Sequence, residues 1–502
     1  MRRADTEHRG PARWARRVLR WLVRLVALGV LLVLAGLFAW ALEDRNLPEL
    51  EAWHLAGPAS EFRADHVGPE FTFADYRARE ERVFAELSEW DLPEARFPLF
   101  MKHCRYRPGG PGDPAGFETD WNRSIELVPD EIRGGALLVH GLTDSPYSLR
   151  SVAELLHAKG LYVLCLRLPG HGTVPAGLLD VTWEDWAAAV EVAARHVVHR
   201  VAGAGPFYVG GYSCGGALAT RLATLAVLDP SLAVPDHVFL FSPAIGITGF
   251  ARTSNWHAIF SWMPFLEKSK WLGIEPEFDP YKYNSFPKNA GAQMWLLTQA
   301  TQAGLRELED QDRLDELPPF LTFQSVVDAT IVARDVVDQL YARLPENGSE
   351  LVVMDLNHWI LHEGLYAQDP RPAIAQLLSD PASAYRLTVI TNQDATSSAV
   401  VARSKPARTA AFSTTSLGLT WPPDVYSLSH LAIPIPPDDP IYGYLELDGE
   451  GGPGLPLGRL ALRGEKDVLR IPASQLLRLR ANPFHAYMLG RIEETVEVGS
   501  SK

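Results

Sequence analysis

Cysteine is scarce in this chain. Three residues in 502, Cys104, Cys165 and Cys214, cannot make a disulfide framework, so the fold must be held by its core. Cys165 lies in an apolar run and Cys214 beside a glycine turn, and both read as small buried hydrophobes. No spacing of His and Cys matches a zinc site, and His358 and His362 have no third ligand near them. A glycine-rich phosphate loop is also missing. Basic residues are in deficit: 61 Asp and Glu against 47 Lys and Arg give a formal charge of −14, which argues against a nucleic-acid or anionic-membrane binding surface. No metal, cofactor or nucleic-acid partner is therefore expected. A hydrophobic content of 47% with 39 Gly and 38 Pro fits a globular α/β body. The length exceeds that of one typical domain, so an anchor, insertions or an added subdomain are expected.

The N-terminus differs in kind. Arg2, Arg3, Arg9, Arg13, Arg16, Arg17, Arg20 and Arg24 precede an uncharged run from Leu25 to Leu42. At 1.5 Å per residue that run spans roughly 27 Å, close to a hydrocarbon core. Trp21 and Trp40 sit at its ends, where amphipathic rings favour the interface, and the positive-inside rule keeps residues 1–24 cytoplasmic with the body outside. The expectation is a single-pass helix in the cytoplasmic membrane with a periplasmic body. Ala39-Trp40-Ala41 offers the competing reading of a signal-peptidase site, although the run is longer than the 7–15 residues of a usual cleaved signal.

The most informative stretch is Gly211-Tyr212-Ser213-Cys214-Gly215. It lies between the apolar run Phe207–Val209 and an alanine-rich helical pattern, the strand, sharp turn and helix that a nucleophile elbow requires. Ser213 is the candidate nucleophile. Upstream, the strand Ala136–Val139 runs into His140-Gly141-Leu142-Thr143-Asp144, a turn able to give one backbone N–H to an oxyanion while the residue after the nucleophile gives the other. The implied donors are Leu142 and Cys214. A third strand, Tyr162–Leu166, ends in Pro169-Gly170-His171-Gly172.

With these pieces in order the chain resembles the α/β-hydrolase superfamily, in particular the branch of monoacylglycerol lipases, small bacterial carboxylesterases and serine aminopeptidases of the S33 type. The resemblance covers roughly residues 120–360. It implies an α/β-hydrolase fold: a mostly parallel sheet covered by helices on both faces, with a helical, aromatic-rich cap and here an N-terminal transmembrane helix. The organisation expected is a basic segment 1–24, the helix 25–42, a membrane-proximal segment 43–94, the hydrolase body 95–445 with a cap at about 243–318, and an extension 446–502. Residues 43–94 read as an exposed acidic approach with a helical pattern around Tyr76–Leu87. Strands are expected at Ile125–Val128, Val238–Phe241, Phe320–Val327 and Leu351–Met354 besides those above, with helices near Leu149–Ala158, Trp183–Val201 and Ala217–Leu228. The cap segment holds Trp256, Trp262, Trp271 and Trp295 with Phe250, Phe260 and Phe265, either a plain aromatic core or the wall of an acyl pocket.

The acid is expected at Asp328, where Phe320–Val327 ends in a carboxylate, in the chain order Ser, Asp, His. Asp355, after the next strand, is the alternative. Two histidines compete as base. His358 follows that next strand directly, in the place where monoacylglycerol lipases carry theirs. His430 lies in Ser427-Leu428-Ser429-His430, beyond a strand-like run Arg386–Thr391 and an irregular Ser/Thr/Pro-rich stretch. That turn, and Tyr283-Asn284-Ser285-Phe286-Pro287, are similar to segments of a group of membrane-anchored proteobacterial hydrolases, and the resemblance selects His430. The function expected is a membrane-anchored serine hydrolase cleaving lipid-like acyl esters, such as monoacylglycerol or lysophospholipid, through Ser213, Asp328 and His430. An S33-type aminopeptidase and an inactive binding protein of the same fold are the alternatives.

Overall fold

In a computed structural model of the chain, the residues described are 10–45, 47–90, 101–246, 267–327, 333–359, 371–423, 425–445, 457–458 and 478–500. Strands β1 (Ile125–Leu127), β2 (Gly135–Val139), β3 (Tyr162–Leu166), β4 (Phe207–Tyr212) and β5 (His237–Phe241) come first. A two-stranded ribbon of β6 (Trp271–Gly273) and β7 (Phe286–Pro287) follows, then β8 (Phe320–Ser325), β9 (Glu350–Met354), β10 (Arg386–Asn392), β11 (Ala399–Lys405) and β12 (Ser413–Thr420). The main sheet has ten strands in the order β1-β3-β2-β4-β5-β8-β9-β10-β11-β12. Pairing is parallel from β3 across to β10 and antiparallel at both edges.

The reason for two covered faces is legible along single strands. In β2 and β3 every residue is buried, and successive side chains enter different cores. Leu137, Val139, Tyr162 and Leu164 join one, while Ala136, Leu138, Val163 and Cys165 join the other. Period-two alternation sends neighbours to opposite faces, and a parallel sheet needs both faces covered. Helices Trp183–Val201, Cys214–Leu228 and Lys288–Asp310 supply the first face, and Arg150–Ala158 and His485–Ser500 the second.

Three regions depart from expectation. The membrane-proximal segment is docked rather than exposed: Trp53, Phe62, Phe73, Tyr76 and Val83 are all buried. Its helix Phe73–Ser88 is capped by Thr72, whose hydroxyl accepts from the Asp75 N–H, and it presents Phe73, Tyr76, Glu80 and Val83 at helical spacing to the body. Downstream, the Ser/Thr-rich stretch expected to be irregular forms β11 and β12. β12 is an exposed edge strand whose threonines suit a pleated surface without giving an apolar alternation. Part of the expected extension completes a core, since Phe484, just before the last helix, and Met488, Ile492 and Val496 along one side of it are buried against the second face.

Most of the aromatic cap residues (Phe250, Trp256, Phe260, Trp262 and Phe265) lie outside the described residues. Trp271 is buried and meets His54 edge-on at 5.0 Å, so it serves the interface with the membrane-proximal segment. Helix Gly10–Arg45 carries an apolar stretch, Arg17–Gly36, that is long enough to cross a membrane and has none of its surface buried in the body.

One buried ion pair joins the N-terminal segment to the sheet. Arg167, fully buried after β3, donates to Glu61 at 2.5 and 3.3 Å, and Glu61 also accepts from the Gly170 N–H at 2.9 Å. A charge left alone there has no water to turn to. Arg167→Met should therefore lower stability by about 3–5 kcal/mol, whereas pairing it with Glu61→Gln should restore part of the loss. Urea denaturation of the full chain in mild detergent measures both; a single-variant loss below about 1 kcal/mol would remove the pair from the account of stability.

Candidate active site

At the end of β4 the chain turns into helix Cys214–Leu228 through one residue. Ser213 has φ 53 and ψ −110, a conformation costing on the order of 1–3 kcal/mol that persists only when its surroundings impose it. They do so by crowding. A Cβ on Gly211 would run into the Gly215 carbonyl, and one on Gly215 into the Val139 carbonyl. The Ser213 N–H donates to the Phe241 oxygen at 3.0 Å, and the Ser213 carbonyl accepts from Ala244 at 3.0 Å. Ser213 is half-buried between two buried neighbours, Tyr212 and Cys214. The first N–H groups of the helix, starting at Cys214, have no intrahelical acceptor and carry the positive end of the helix dipole.

The facing turn is equally constrained. A Cβ on Gly141 would lie 2.8 Å from the Tyr212 ring and 3.3 Å from the Ser213 Cβ, so only glycine lets the two loops approach. Leu142 is half-buried beside it. Thr143 follows with φ 62, its carbonyl accepting from the Tyr283 N–H at 2.8 Å. The Tyr283 hydroxyl donates to the Gly170 carbonyl at 3.0 Å and accepts from the Thr173 N–H at 2.7 Å. Tyr283 thus couples the turn after β2 to the loop after β3, a role its sequence context does not reveal.

His140 and His171 are braces. The Leu168 N–H donates to His140 Nε2 at 3.0 Å, which leaves the proton on Nδ1 for the Gly141 carbonyl at 2.8 Å. Burial pushes His140 down to about 3. His171 packs edge-on to it at 5.0 Å, and burial drives its pKa well down too.

Asp328 lies outside the described residues, which end on this side of the loop at Val327, just past β8. What the structure brings to that strand end is the loop that carries His430. The Ser325 hydroxyl lies 2.8 Å from the Leu428 carbonyl, Asn357 holds Tyr426 and Val425 at 2.9 and 2.8 Å, and the Ser429 hydroxyl donates to Leu479. His430 is buried, with its ring stacked on Tyr212 at 6.4 Å between centroids and 27° between planes. It therefore sits next to the residue that precedes Ser213.

The rival histidine is engaged elsewhere. His358 Nε2 donates to Asp355 at 2.8 Å, Asp355 also accepts from the Thr391 hydroxyl at 2.8 Å, and the His358 N–H donates to Asn392. The alternative acid and the alternative base thus hold each other at the end of β9, which is three strand positions from β4. At roughly 4.8 Å per strand that is about 14 Å across the sheet. Among the described residues no group of three or more His, Cys, Asp or Glu side chains is placed to hold a metal.

A family model described as the alpha/beta hydrolase family matches residues 136–377, the span from β2 through the helix after β9. With the sheet order and the strand–turn–helix at Ser213, this fixes the fold. The chain has the α/β-hydrolase fold. A thermostable monoacylglycerol lipase of Bacillus sp. (strain H-257) is 42% identical over 120 residues, which are 23% of this chain and 45% of that enzyme. The chain thus matches less than half the length of this curated relative. Among solved structures, the metagenome-derived lipolytic enzymes LipS and LipT align at 23% identity over 47% of this chain and 88% of theirs, with a TM-score of 0.36. A Paleococcus ferrophilus monoacylglycerol lipase aligns at 16% over 46% and 87%, with a TM-score of 0.34.

The buried histidines give this protein a defined acid response. Burial lowers His54, His237 and His485 to about 4 and His140 to about 3, against about 6.5 in an unfolded chain. Below pH 6.5 the unfolded state takes up protons that the folded state refuses. Stability is therefore complete above pH 6.5 and falls as pH drops toward 4, by about 1.4 kcal/mol per unit for each such histidine. Melting temperature recorded from pH 8 to pH 4 should start to fall near pH 6.5; a flat profile down to pH 5 would contradict the assigned neutral, buried state.

Proposed function

We propose that this protein is a serine hydrolase of carboxylic esters, with Ser213 as nucleophile, His430 as general base and Asp328 as the acid that orients it. The observation that carries the reading is the backbone of Ser213, held at φ 53 between β4 and a helix N-terminus. A turn that costs stability is maintained where it presents a side chain for chemistry.

The reaction runs in two steps. His430 takes the Ser213 proton as the hydroxyl attacks the ester carbonyl, and the backbone N–H groups of Leu142 and Cys214 receive the developing oxyanion. The tetrahedral intermediate collapses as the imidazolium returns the proton to the departing alcohol. Water then attacks the acyl-enzyme with the same base, releasing the acid and restoring Ser213. Asp328 accepts the imidazole N–H, fixing the tautomer and stabilising the cation. Support for His430 over His358 comes from its stacking on Tyr212 and from the occupation of His358 by Asp355.

Lipid-like acyl esters are the proposed substrates, in keeping with a monoacylglycerol lipase as relative. The apolar N-terminal helix is read as an uncleaved anchor, with the body on the extracytoplasmic side, which sets the site beside its substrate's own phase.

Ser213→Ala should abolish labelling by a fluorophosphonate probe and lower kcat on the order of 10⁴-fold, and His430→Ala should lose activity to a similar degree, because both remove one proton transfer. His358→Ala should keep most of the wild-type rate on p-nitrophenyl esters. A reversed ranking of the two histidine variants would move the base to His358.

Protease added to intact spheroplasts should digest the body, and N-terminal sequencing should find residues ahead of Leu25 retained. Protection of the body, or a mature chain starting at Leu42, would end the anchor reading.

A further inference from the structure

Beside Tyr212 lies a narrow cleft lined by Asp144, Ser148, Lys282, Tyr442 and Arg480 together with Leu431 and Ile435; its free interior is only about 20 Å³, so a ligand group meets the exposed parts of Lys282 and Arg480 at its mouth. Its walls come from the segments assigned to catalysis. Tyr212 precedes Ser213, Leu431 follows His430, and Asp144 is two residues past Leu142. Lys282 precedes Tyr283, whose N–H holds the Thr143 carbonyl. A substrate with its ester at Ser213 would thus have one end near this cleft.

The charges in it are arranged in depth. Lys282 Nζ lies 3.4 Å from Asp144 and the Arg480 guanidinium 3.3 Å from Asp279. The carboxylates are the deep partners: the Asp279 side chain is 0% exposed and that of Asp144 10%, while Lys282 and Arg480 are 23% and 26% exposed. Asp279 is further tied down by the Tyr442 hydroxyl at 2.5 Å and the Tyr281 N–H at 3.1 Å, and Asp144 by the Ser145 N–H at 3.0 Å. Each cation has more N–H donors than its one carboxylate contact employs. The side offered to a ligand is therefore two cationic donors, in a protein whose overall charge is −14. An acyl chain gains nothing by burying against Lys and Arg. The other half of an ester, its alcohol, is the half able to carry a negative group, and a phosphate matches both a point-charge ammonium and the guanidinium fork.

Resting on the ester-hydrolase reading above, we infer that Lys282 and Arg480 form a binding site for a phosphate group on the alcohol side of the substrate, which directs this hydrolase to acyl esters of phosphorylated alcohols. The phosphate chemistry is the same for a lipid headgroup and for the free ion, and the test separates them.

The test compares kcat/KM of the full chain, in neutral detergent micelles, on a 1-acyl-glycerol and on the 1-acyl-glycerol 3-phosphate of the same acyl chain. The wild type should favour the phosphorylated ester by about tenfold or more, the scale of one or two charge-assisted hydrogen bonds. Lys282→Gln and Arg480→Gln should each reduce that ratio by about tenfold, and Lys282→Arg should hold most of it. A ratio near one in the wild type, or variants that slow both esters equally and leave the ratio unchanged, would overturn the site and leave Lys282 and Arg480 as braces. Inhibition by millimolar inorganic phosphate that disappears in Lys282→Gln, without preference for the phosphorylated ester, would assign the pocket to the free ion and overturn the substrate inference. Failure to cleave either ester, with no fluorophosphonate labelling, would instead bring down the hydrolase reading itself.

Discussion

The rest of the site depends on the crossing of β4 and the helix that follows it. With glycine at 211 and 215 the two elements approach until backbone meets backbone, and the single residue between them has no relaxed conformation to adopt. That constraint accounts for three features together. It raises the Ser213 side chain out of a buried layer, aims the first helix N–H groups at the space beside it, and brings Tyr212 against Gly141 so that the neighbouring turn is set by the same contact. The conformational cost of one residue is offset by the burial of the two elements it joins.

Around this crossing the molecule is built as a set of ties between loops at the C-terminal ends of the parallel strands, where an open α/β sheet places its ligands. His140 joins the end of β2 to the loop after β3, Tyr283 repeats the connection from the cap side, and Glu61 reaches the same loop from the membrane-proximal segment. These ties use buried polar groups, each satisfied, which makes them costly to break singly. A consequence is that the N-terminal segment is part of the scaffold. The apolar helix and the loop at Gly170 are joined by a chain docked along much of its length, so an anchored body would be held in a restricted orientation relative to the bilayer.

Much of the body was legible from residues alone. Strand β3 and helix Trp183–Val201 fall where the apolar runs place them, and the elbow was marked by its glycines and the strand before it. What the sequence concealed has physical causes. Segment 47–90 reads as acidic and exposed because its buried acids, Glu61 and Glu80, look like surface charge until Arg167, Arg77 and Ser124 are placed beside them. β12 pairs through its backbone and buries little, so no apolar alternation betrays it. The apolar stripe of the last helix, Met488, Ile492 and Val496, takes its meaning only from the second face that it covers.

The histidine illustrates the limit of local reading most clearly. By position alone His358 is the better base, since it follows the next core strand after the expected acid. Its environment argues otherwise: Asp355 and Asn392 occupy it, while a turn some seventy residues further on is pinned by Asn357 and Ser325 to the ends of β9 and β8. Asn357 makes this possible, because the same side chain also receives the Asn392 amide and so ties β10 to the returning loop. The added hairpin of β11 and β12 lengthens the route, and the segment just before the last helix, through Leu479 and Asn482, braces the turn. With His430 as the proposed base, the site would depend on the C-terminal quarter of the protein as much as on the region the family model matches, and the charged cleft that Lys282 and Arg480 line lies beside Tyr212.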